Sequence, residues 1–208
     1  MREVSGLYII TDEQLCPGRS HAGIAVAAIE GGARIIQIRD KHASDRSIYE
    51  DALEIRRITR DAGALFFVND RVHIAAAVEA DGVNVGQTDL PVRAVRRILG
   101  PDAIIGVSAD SIGQAIQAAA DGADYVGFGP VFPTGTKLDA GPVSGLETLR
   151  NVCAAVDVPV VAIGGIGLAN IASIASAGAA SAAVVSAVVC AEEMPRATAA
   201  LIAEFGRE

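Results

Sequence analysis

The sequence lacks an excess of positive charge, and this absence excludes one class of function. Its 208 residues include 17 lysines and arginines against 25 aspartates and glutamates, which gives a formal net charge of −8. A protein that binds nucleic acid through bulk positive charge needs the opposite balance. We therefore expect no nucleic-acid partner.

Long apolar runs and a regular set of cysteines are also missing. Glycine, proline or a charged residue interrupts each apolar stretch well before the roughly 18 residues that a membrane span needs. A strand-like run begins by Leu7, which leaves no room for a cleavable signal. Cys16, Cys153 and Cys190 are odd in number and widely spaced, so we expect reduced, buried thiols rather than disulfides or a zinc site. These observations predict a cytoplasmic protein with no membrane partner.

Short apolar runs alternate with longer helical patterns along the whole chain. The runs are apolar throughout, which is typical of parallel strands covered on both faces. The predicted strands are residues 7–10, 35–38, 65–68, 82–85, 104–107, 125–128, 160–163 and 183–185. The predicted helices are residues 22–30, 44–62, 71–79, 91–99, 111–120, 144–156, 169–177 and 192–205.

Eight strand–helix units without a linker predict an α/β protein, a single (β/α)8 TIM barrel domain over residues 1–208. A doubly wound open sheet is the alternative. Polar residues or glycines follow every predicted strand, and a closed barrel brings all eight strand ends to one mouth, whereas an open sheet scatters them. This distribution favours the barrel.

Three of these strand ends suggest sites for anions. Gly164, Gly165 and Ser186 follow the last two strands, where barrels frequently hold a phosphate, although tight turns without a ligand have the same pattern. After the second strand, Gln37, Arg39 and Lys41 occupy alternate positions and so point the same way. A solvated charge run is the alternative, but the chain has only one other lysine, Lys137.

Asp70 and Asp89 end neighbouring strand units, so a barrel can bring their carboxylates together. Such a pair repels unless a cation or proton is shared, and Mg²⁺ is held by one or two carboxylates plus substrate phosphates. Helix N-capping is the alternative role. The long loop of residues 129–137 is a candidate lid, with hydroxyls on Thr134 and Thr136 and a positive charge on Lys137.

The mouth contains no evident nucleophile and no evident histidine base. His21 and His42 lie near predicted helix starts, and His73 lies within a predicted helix. A phosphate site beside cations and a carboxylate pair favours metal-assisted departure of a diphosphate over hydrolysis through a covalent intermediate.

Six motifs together resemble the thiamine-phosphate synthase family, in order and over essentially the whole chain. They are LYIITD at 7–12, QIRDK at 37–41, VNDR at 68–71, GQTD at 86–89, GPVFPTGTK at 129–137 and AIGGI at 162–166. The resemblance implies a TIM barrel transferase that joins 4-amino-2-methyl-5-hydroxymethylpyrimidine diphosphate to a thiazole phosphate and releases diphosphate, in a dissociative reaction assisted by Mg²⁺.

The resemblance also implies roles for individual residues. Those implied to contact the pyrimidine diphosphate are Gln37, Arg39, Lys41, Asn69, Ser108 and Lys137, of which Arg39, Lys41, Ser108 and Lys137 assist catalysis. Those implied to hold the thiazole phosphate are Thr134, Thr136, Gly165, Val185 and Ser186. Asp70 and Asp89 are implied to bind Mg²⁺. A homodimer is compatible with such a barrel.

The chain departs from the family pattern at two positions, because Asn84 and Asp110 stand where the family usually or often has histidine. These departures bear on fine geometry. The competing interpretation is a thiazole tautomerase, a sister family implied to have histidine at the position of Pro130 and to lack the groups of Asp70 and Gln37. A non-catalytic barrel that binds a phosphorylated ligand is the third hypothesis.

Overall fold

The computed structural model describes residues 4–136 and 141–206. Lys137, which the sequence places among the site residues, lies outside the described residues. Eight parallel strands pair in chain order, and β1 pairs with β8 through Gly6 opposite Ser181, so the sheet is a closed barrel. The strands are β1 Gly6–Thr11, β2 Ile35–Ile38, β3 Leu65–Asn69, β4 Gly82–Val85, β5 Ile104–Ala109, β6 Tyr125–Phe128, β7 Val160–Ile163 and β8 Ser181–Val184. The predicted (β/α)8 fold is confirmed.

Helices surround this barrel and connect consecutive strands. They are α1 His21–Glu30, α2 Asp45–Asp61, α3 Val72–Ala77, α4 Val92–Leu99, α5 Ile112–Ala120, α6 Gly145–Ala155, α7 Ile171–Ser176, α8 Ser186–Val189 and α9 Met194–Phe205. Serine side chains cap the first turns of α1, α2 and α5, where Ser20, Ser44 and Ser111 accept backbone N–H bonds. The short α8 is an addition to the helices that the sequence predicts.

Two separate apolar cores hold the barrel together. The larger one lies between the strands and the helices, and the smaller one fills the barrel interior with the rings of Tyr8, Phe67 and Tyr125. The ring centroid of Phe67 lies 5.5 Å from that of Tyr8 and 5.7 Å from that of Tyr125. The interior is therefore filled by side chains, which form the floor of any site at the mouth.

The aromatic floor depends on a glycine in β5. A Cβ atom on Gly106 would lie 2.0 Å from Cζ of Tyr125. We expect Gly106→Ala to lower the free energy of unfolding by at least about 2 kcal/mol, because the ring must move within a packed interior. Denaturant unfolding followed by circular dichroism measures this loss.

The matched control is Gly113→Ala in α5, where no heavy atom lies within 4 Å of the added Cβ. It should leave stability unchanged or raise it by up to about 1 kcal/mol, because alanine is the better helix former. Equal stability of the two variants would contradict this description of the barrel interior.

The environment of the cysteines differs from the prediction. All three are free thiols, as expected, but Cys16 and Cys153 are half-buried and Cys190 is exposed. The prediction that they are small buried hydrophobes is therefore wrong. Over the described parts of the chain, no helix has the length and apolar character required to cross a membrane.

Candidate active site

A cavity of about 360 Å³ opens at the carboxyl ends of the strands. Residues from all eight strand units line it. In the first unit these are Tyr8 and Ile10, which lie within the strand, and every other unit contributes residues at or near the strand end. The sequence-predicted site residues that line it are Gln37, Arg39, Lys41, Asn69, Asp70, Ser108, Thr134, Thr136, Gly165, Val185 and Ser186. The closed barrel thus brings together side chains from positions spread over most of the chain.

Side chains from β2 and the loop after it form one wall of the cavity. Gln37 is buried within the strand, and Arg39 and Lys41 follow it at alternate positions. Nη1 of Arg39 lies 3.5 Å from Oδ2 of Asp12. The loop is further held by Arg71, whose Nη2 donates to the carbonyl oxygens of Asp40 and Ala43. Both cations are therefore attached to an ordered backbone.

A chain of hydrogen bonds crosses the cavity floor. Gln37 Nε2 donates to the Tyr8 hydroxyl at 3.0 Å, and the hydroxyls of Tyr8 and Tyr125 lie 3.0 Å apart. Burial raises the pKa of both tyrosines well above the usual value, so their hydroxyls stay protonated. Gln37 Oε1 is buried and has no hydrogen-bond partner among the described residues. This acceptor is thus available to a donor group on a ligand in the cavity.

Amide side chains fix Ser108 on the neighbouring wall. Asn84 Nδ2 donates to Ser108 Oγ at 3.0 Å, and Gln87 Nε2 donates to the Ser108 carbonyl oxygen at 2.8 Å. Asn84, one of the two departures from the family pattern, is therefore a buried partner of a predicted site residue. Asp110, the other departure, also lines the cavity.

The carboxyl groups of Asp70 and Asp89 are close neighbours at the rim. Burial raises the pKa of Asp70, and the charge and hydrogen bond of Asp89 raise it further, while Lys41 and Arg39 lower it. Asp89 Oδ2 accepts the Gly86 N–H at 2.7 Å, which holds its turn together. Neither residue is the N-cap of the following helix, since Arg71 and Pro91 occupy those positions.

The backbone of Asp70 is unusual, because its φ angle of +59° lies in the left-handed region. Aspartate and asparagine enter this region more readily than most residues, and such conformations concentrate at functional sites. Asp70 is half-buried and Asp89 is exposed. A carboxyl pair that offers only oxygen ligands beside two cations fits a hard divalent ion such as Mg²⁺. The pair could therefore hold this ion together with substrate phosphate oxygens.

The loops after β6 and β7 pack against each other at the opposite side of the cavity. The N–H groups of Val131 and Phe132 donate to the carbonyl oxygens of Ile163 and Gly164 at 2.9 and 3.1 Å. Gly165 has a φ angle of +63°, and a Cβ on it would lie 2.4 Å from the Pro133 carbonyl oxygen. This close approach places Thr134 and Thr136 along the same cavity as Gly165.

The residues that line the cavity differ at a few positions from the site residues that the sequence predicts. Asp89 contacts Asp70 but does not itself line the cavity, and no histidine is among the described residues that do. The cavity is also lined by residues that were not among the predicted site residues, including Tyr8, Tyr125, Asn84, Gln87 and Gln114. Two of these have a signal in the sequence, because Asn84 is a polar residue in an apolar run and Gln87 lies in the GQTD motif after the fourth strand.

Comparisons with known proteins agree with this arrangement. A family model described as Thiamine monophosphate synthase matches residues 7–188. The chain is 52% identical over 191 residues to a thiamine-phosphate synthase of Chloroflexus aurantiacus, covering 92% of this chain and 88% of that protein. It is 48% identical over 200 residues to one of Pyrococcus horikoshii, covering 96% and 94%.

Comparison of the fold with a solved structure agrees with the sequence comparisons. The thiamine phosphate pyrophosphorylase from Pyrococcus furiosus matches with a TM-score of 0.89 at 44% identity, covering 96% of this chain and 95% of that chain. The chain therefore belongs to the thiamine monophosphate synthase family and is a transferase.

Proposed function

We propose that this chain joins 4-amino-2-methyl-5-hydroxymethylpyrimidine diphosphate to a thiazole phosphate at the barrel mouth, giving thiamine phosphate and diphosphate. One observation carries the proposal. A single cavity is lined by the cations Arg39 and Lys41, by Asp70 of the carboxyl pair, and by the glycine-rich backbone at Gly165. One end thus suits a diphosphate and the other a monophosphate.

The pyrimidine ring would lie over the floor of the cavity. The unpartnered Oε1 of Gln37 would accept a hydrogen bond from the 4-amino group, while Nε2 stays bonded to Tyr8. Asn69 and Ser108 would contact the same substrate, with Ser108 oriented by Asn84. Lys137, implied by the family resemblance, would complete the contacts to the diphosphate.

The thiazole phosphate would lie at the opposite end, between the loops after β6 and β7 and the end of β8. Thr134 and Thr136 offer hydroxyls, and Gly165 offers backbone that can approach a ligand closely. Val185 and Ser186 border the same end. This placement directs the thiazole nitrogen toward the middle of the cavity, where the pyrimidine methylene would lie.

The reaction then needs charge stabilisation rather than a protein nucleophile. The bond between the pyrimidine methylene and the diphosphate oxygen breaks, and its electron pair leaves with the diphosphate. The thiazole nitrogen donates its lone pair to the resulting carbocation and forms the new carbon–nitrogen bond. Arg39 and Lys41 stabilise the negative charge that grows on the leaving group. Asp70 and Asp89 would hold Mg²⁺, which would supply further positive charge there.

Neither competing function fits these residues as well. The tautomerase family is implied to have histidine at position 130, where this chain has proline, and to lack the groups supplied by Gln37 and Asp70. A non-catalytic binding protein has no need of a carboxyl pair beside two cations.

We further propose that residues 1–208 form one domain, that the protein acts in the cytoplasm, and that a homodimer is compatible with its barrel.

The proposed function is tested by omitting each component in turn. The purified protein with both substrates and Mg²⁺ should form thiamine phosphate, detected by liquid chromatography, and omission of either substrate should abolish it. EDTA should lower the rate strongly, whereas unchanged activity in EDTA would remove the metal from the mechanism. Interconversion of thiazole isomers without joining would instead support the tautomerase.

A substitution at Gln37 tests the orientation of the pyrimidine. We expect Gln37→Met to raise the KM for the pyrimidine diphosphate about tenfold, because a polar contact is lost at similar side-chain volume. The KM for the thiazole phosphate should change less than twofold. Gln117→Met on the exposed side of α5 is the matched control and should change neither value. Equal effects on both KM values would contradict this placement of the ring.

A further inference from the structure

A second group of potential ligand atoms lies outside the cavity, on the α1 and α2 side of the barrel. Glu13 lies in the loop after β1, His21 is the first residue of α1, and Asp51 lies in α2. One ligand atom from each lies within 4.8 Å of the other two. None of the three lines the active-site cavity. Three separate segments of the chain thus converge on one point.

His21 is the least satisfied member of this cluster. Its side chain is 1% exposed, and its Nδ1 lies 2.6 Å from the Thr11 hydroxyl oxygen. Its Nε2 is buried without a hydrogen-bond partner among the described residues. The carboxylate of Asp40 lies near, but its Oδ2 is 3.9 Å from Nε2, beyond hydrogen-bond distance. A buried imidazole nitrogen left in this state needs a partner.

The charges around this nitrogen are mostly negative. Glu13 and Asp51 belong to the cluster, and Asp40 lies beside it, so three carboxylates face one imidazole. Glu13 Oε1 accepts the His21 backbone N–H at 2.7 Å, which fixes this carboxylate in place. Like charges held close together and partly buried favour the binding of a cation.

We infer that Glu13, His21 and Asp51 form a site for one divalent cation of the zinc class, separate from the Mg²⁺ pair. One imidazole nitrogen with carboxylate oxygens is a donor set that Zn²⁺ accepts, whereas Mg²⁺ prefers oxygen ligands alone. His21 binds the ion through Nε2 and donates its Nδ1 proton to the Thr11 hydroxyl, which fixes the orientation of the ring as the outer partners of metal-bound histidines do.

The ion at this site connects the loop after β1 to helices α1 and α2. Asp40, next to the cluster, accepts the backbone N–H groups of His42 and Ala43 with its Oδ1. The same loop carries Arg39 and Lys41. The site therefore has a structural role close to the diphosphate end of the cavity, without a ligand in common with the Asp70 and Asp89 pair.

Zinc uptake by the purified, metal-free protein tests this inference. Equilibrium dialysis against micromolar Zn²⁺ with millimolar Mg²⁺ gives the bound zinc, and Asp51→Asn and Glu13→Gln each remove one ligand charge at unchanged shape. We expect wild type to bind one equivalent more than either variant, or at least tenfold more tightly. Glu50→Gln, an exposed neighbour on α2, is the control and should bind like wild type.

Two outcomes would overturn the site. Equal zinc uptake by wild type, Asp51→Asn and Glu13→Gln would assign any bound ion to another place, including Asp70 and Asp89. Absence of zinc uptake by wild type would also overturn it, and ¹⁵N NMR spectra with both His21 ring nitrogens protonated would then show that a proton neutralises the cluster instead. Dialysis reads zinc binding and the NMR spectra read the protonation of His21, so neither result depends on whether the proposed reaction occurs.

Discussion

Asp70→Asn is expected to lower kcat by at least about a hundredfold, comparable to the loss of a preorganised group that stabilises transition-state charge. The carboxylate of Asp70 lies beside Asp89, Lys41 and Arg39, so its removal takes away a metal ligand at the point where diphosphate departs. Asparagine also tolerates the left-handed backbone of this residue, which keeps the turn unchanged. Steady-state assays at saturating substrates measure the effect.

The control for this variant is Asp61→Asn at the end of α2. Its carboxylate is 71% exposed and pairs with Arg57 in the same helix, as an i,i+4 ion pair of small energetic value. Turnover by this variant should equal that of wild type, and both variants should keep the wild-type Tm. If Asp70→Asn retained more than half of the activity, Asp70 would have no direct role in the reaction.

Gly165→Ala is expected to raise the KM for the thiazole phosphate at least about tenfold, since both the backbone conformation and the space forbid a side chain there. The added Cβ would lie 2.4 Å from the Pro133 carbonyl oxygen and 2.9 Å from Cβ of Phe132. The loops after β6 and β7 must then separate, which moves Thr134 and Thr136 away from the phosphate. The KM for the pyrimidine diphosphate should change much less.

Gly167→Ala separates this effect from a general intolerance of the loop. No heavy atom lies within 4 Å of a Cβ at position 167, and the Gly167 N–H still donates to Asn170 Oδ1. We expect wild-type KM values for this variant. A similar defect in both variants would indicate that loop stability, rather than the approach at Gly165, determines phosphate binding.

The strands were predictable because parallel strands buried on both faces give continuous apolar runs. Residues 35–38, 125–128 and 160–163 match the observed β2, β6 and β7 at both ends. The start of β8 differed, because Ser181 reads as a turn residue. In the structure this serine is buried, and its hydroxyl donates to the Val4 carbonyl oxygen at 3.1 Å.

The polar residues at the mouth were predictable from their positions after successive strands, whereas the residues of the cavity floor were not. Arg39, Lys41 and Asp70 each follow a strand, and barrel closure alone brings strand ends together. Tyr8 and Tyr125 lie inside apolar strands, where both faces are buried and no alternation marks the interior face. Their contact depends on how the strands are staggered, and on the space that Gly106 leaves.

The left-handed backbone of Asp70 and the hydrogen bond from Asn84 to Ser108 also could not be predicted. The first depends on the contact between the end of β3 and β4, where the Asp70 N–H donates to the Asn84 carbonyl oxygen at 2.9 Å. The second depends on the packing of β4 beside β5, where Asn84 lies opposite Gly106. Both follow from contacts between strands, which the residue types alone do not specify.

The most direct test of the joining reaction is its stoichiometry, followed by ³¹P NMR in a closed mixture of the protein, both substrates and Mg²⁺. We expect diphosphate and thiamine phosphate to appear together in a 1:1 ratio until one substrate is exhausted, and Asp70→Asn to slow both signals equally. Diphosphate released without thiamine phosphate, or thiamine phosphate formed at the wild-type rate by Asp70→Asn, would contradict the proposed reaction.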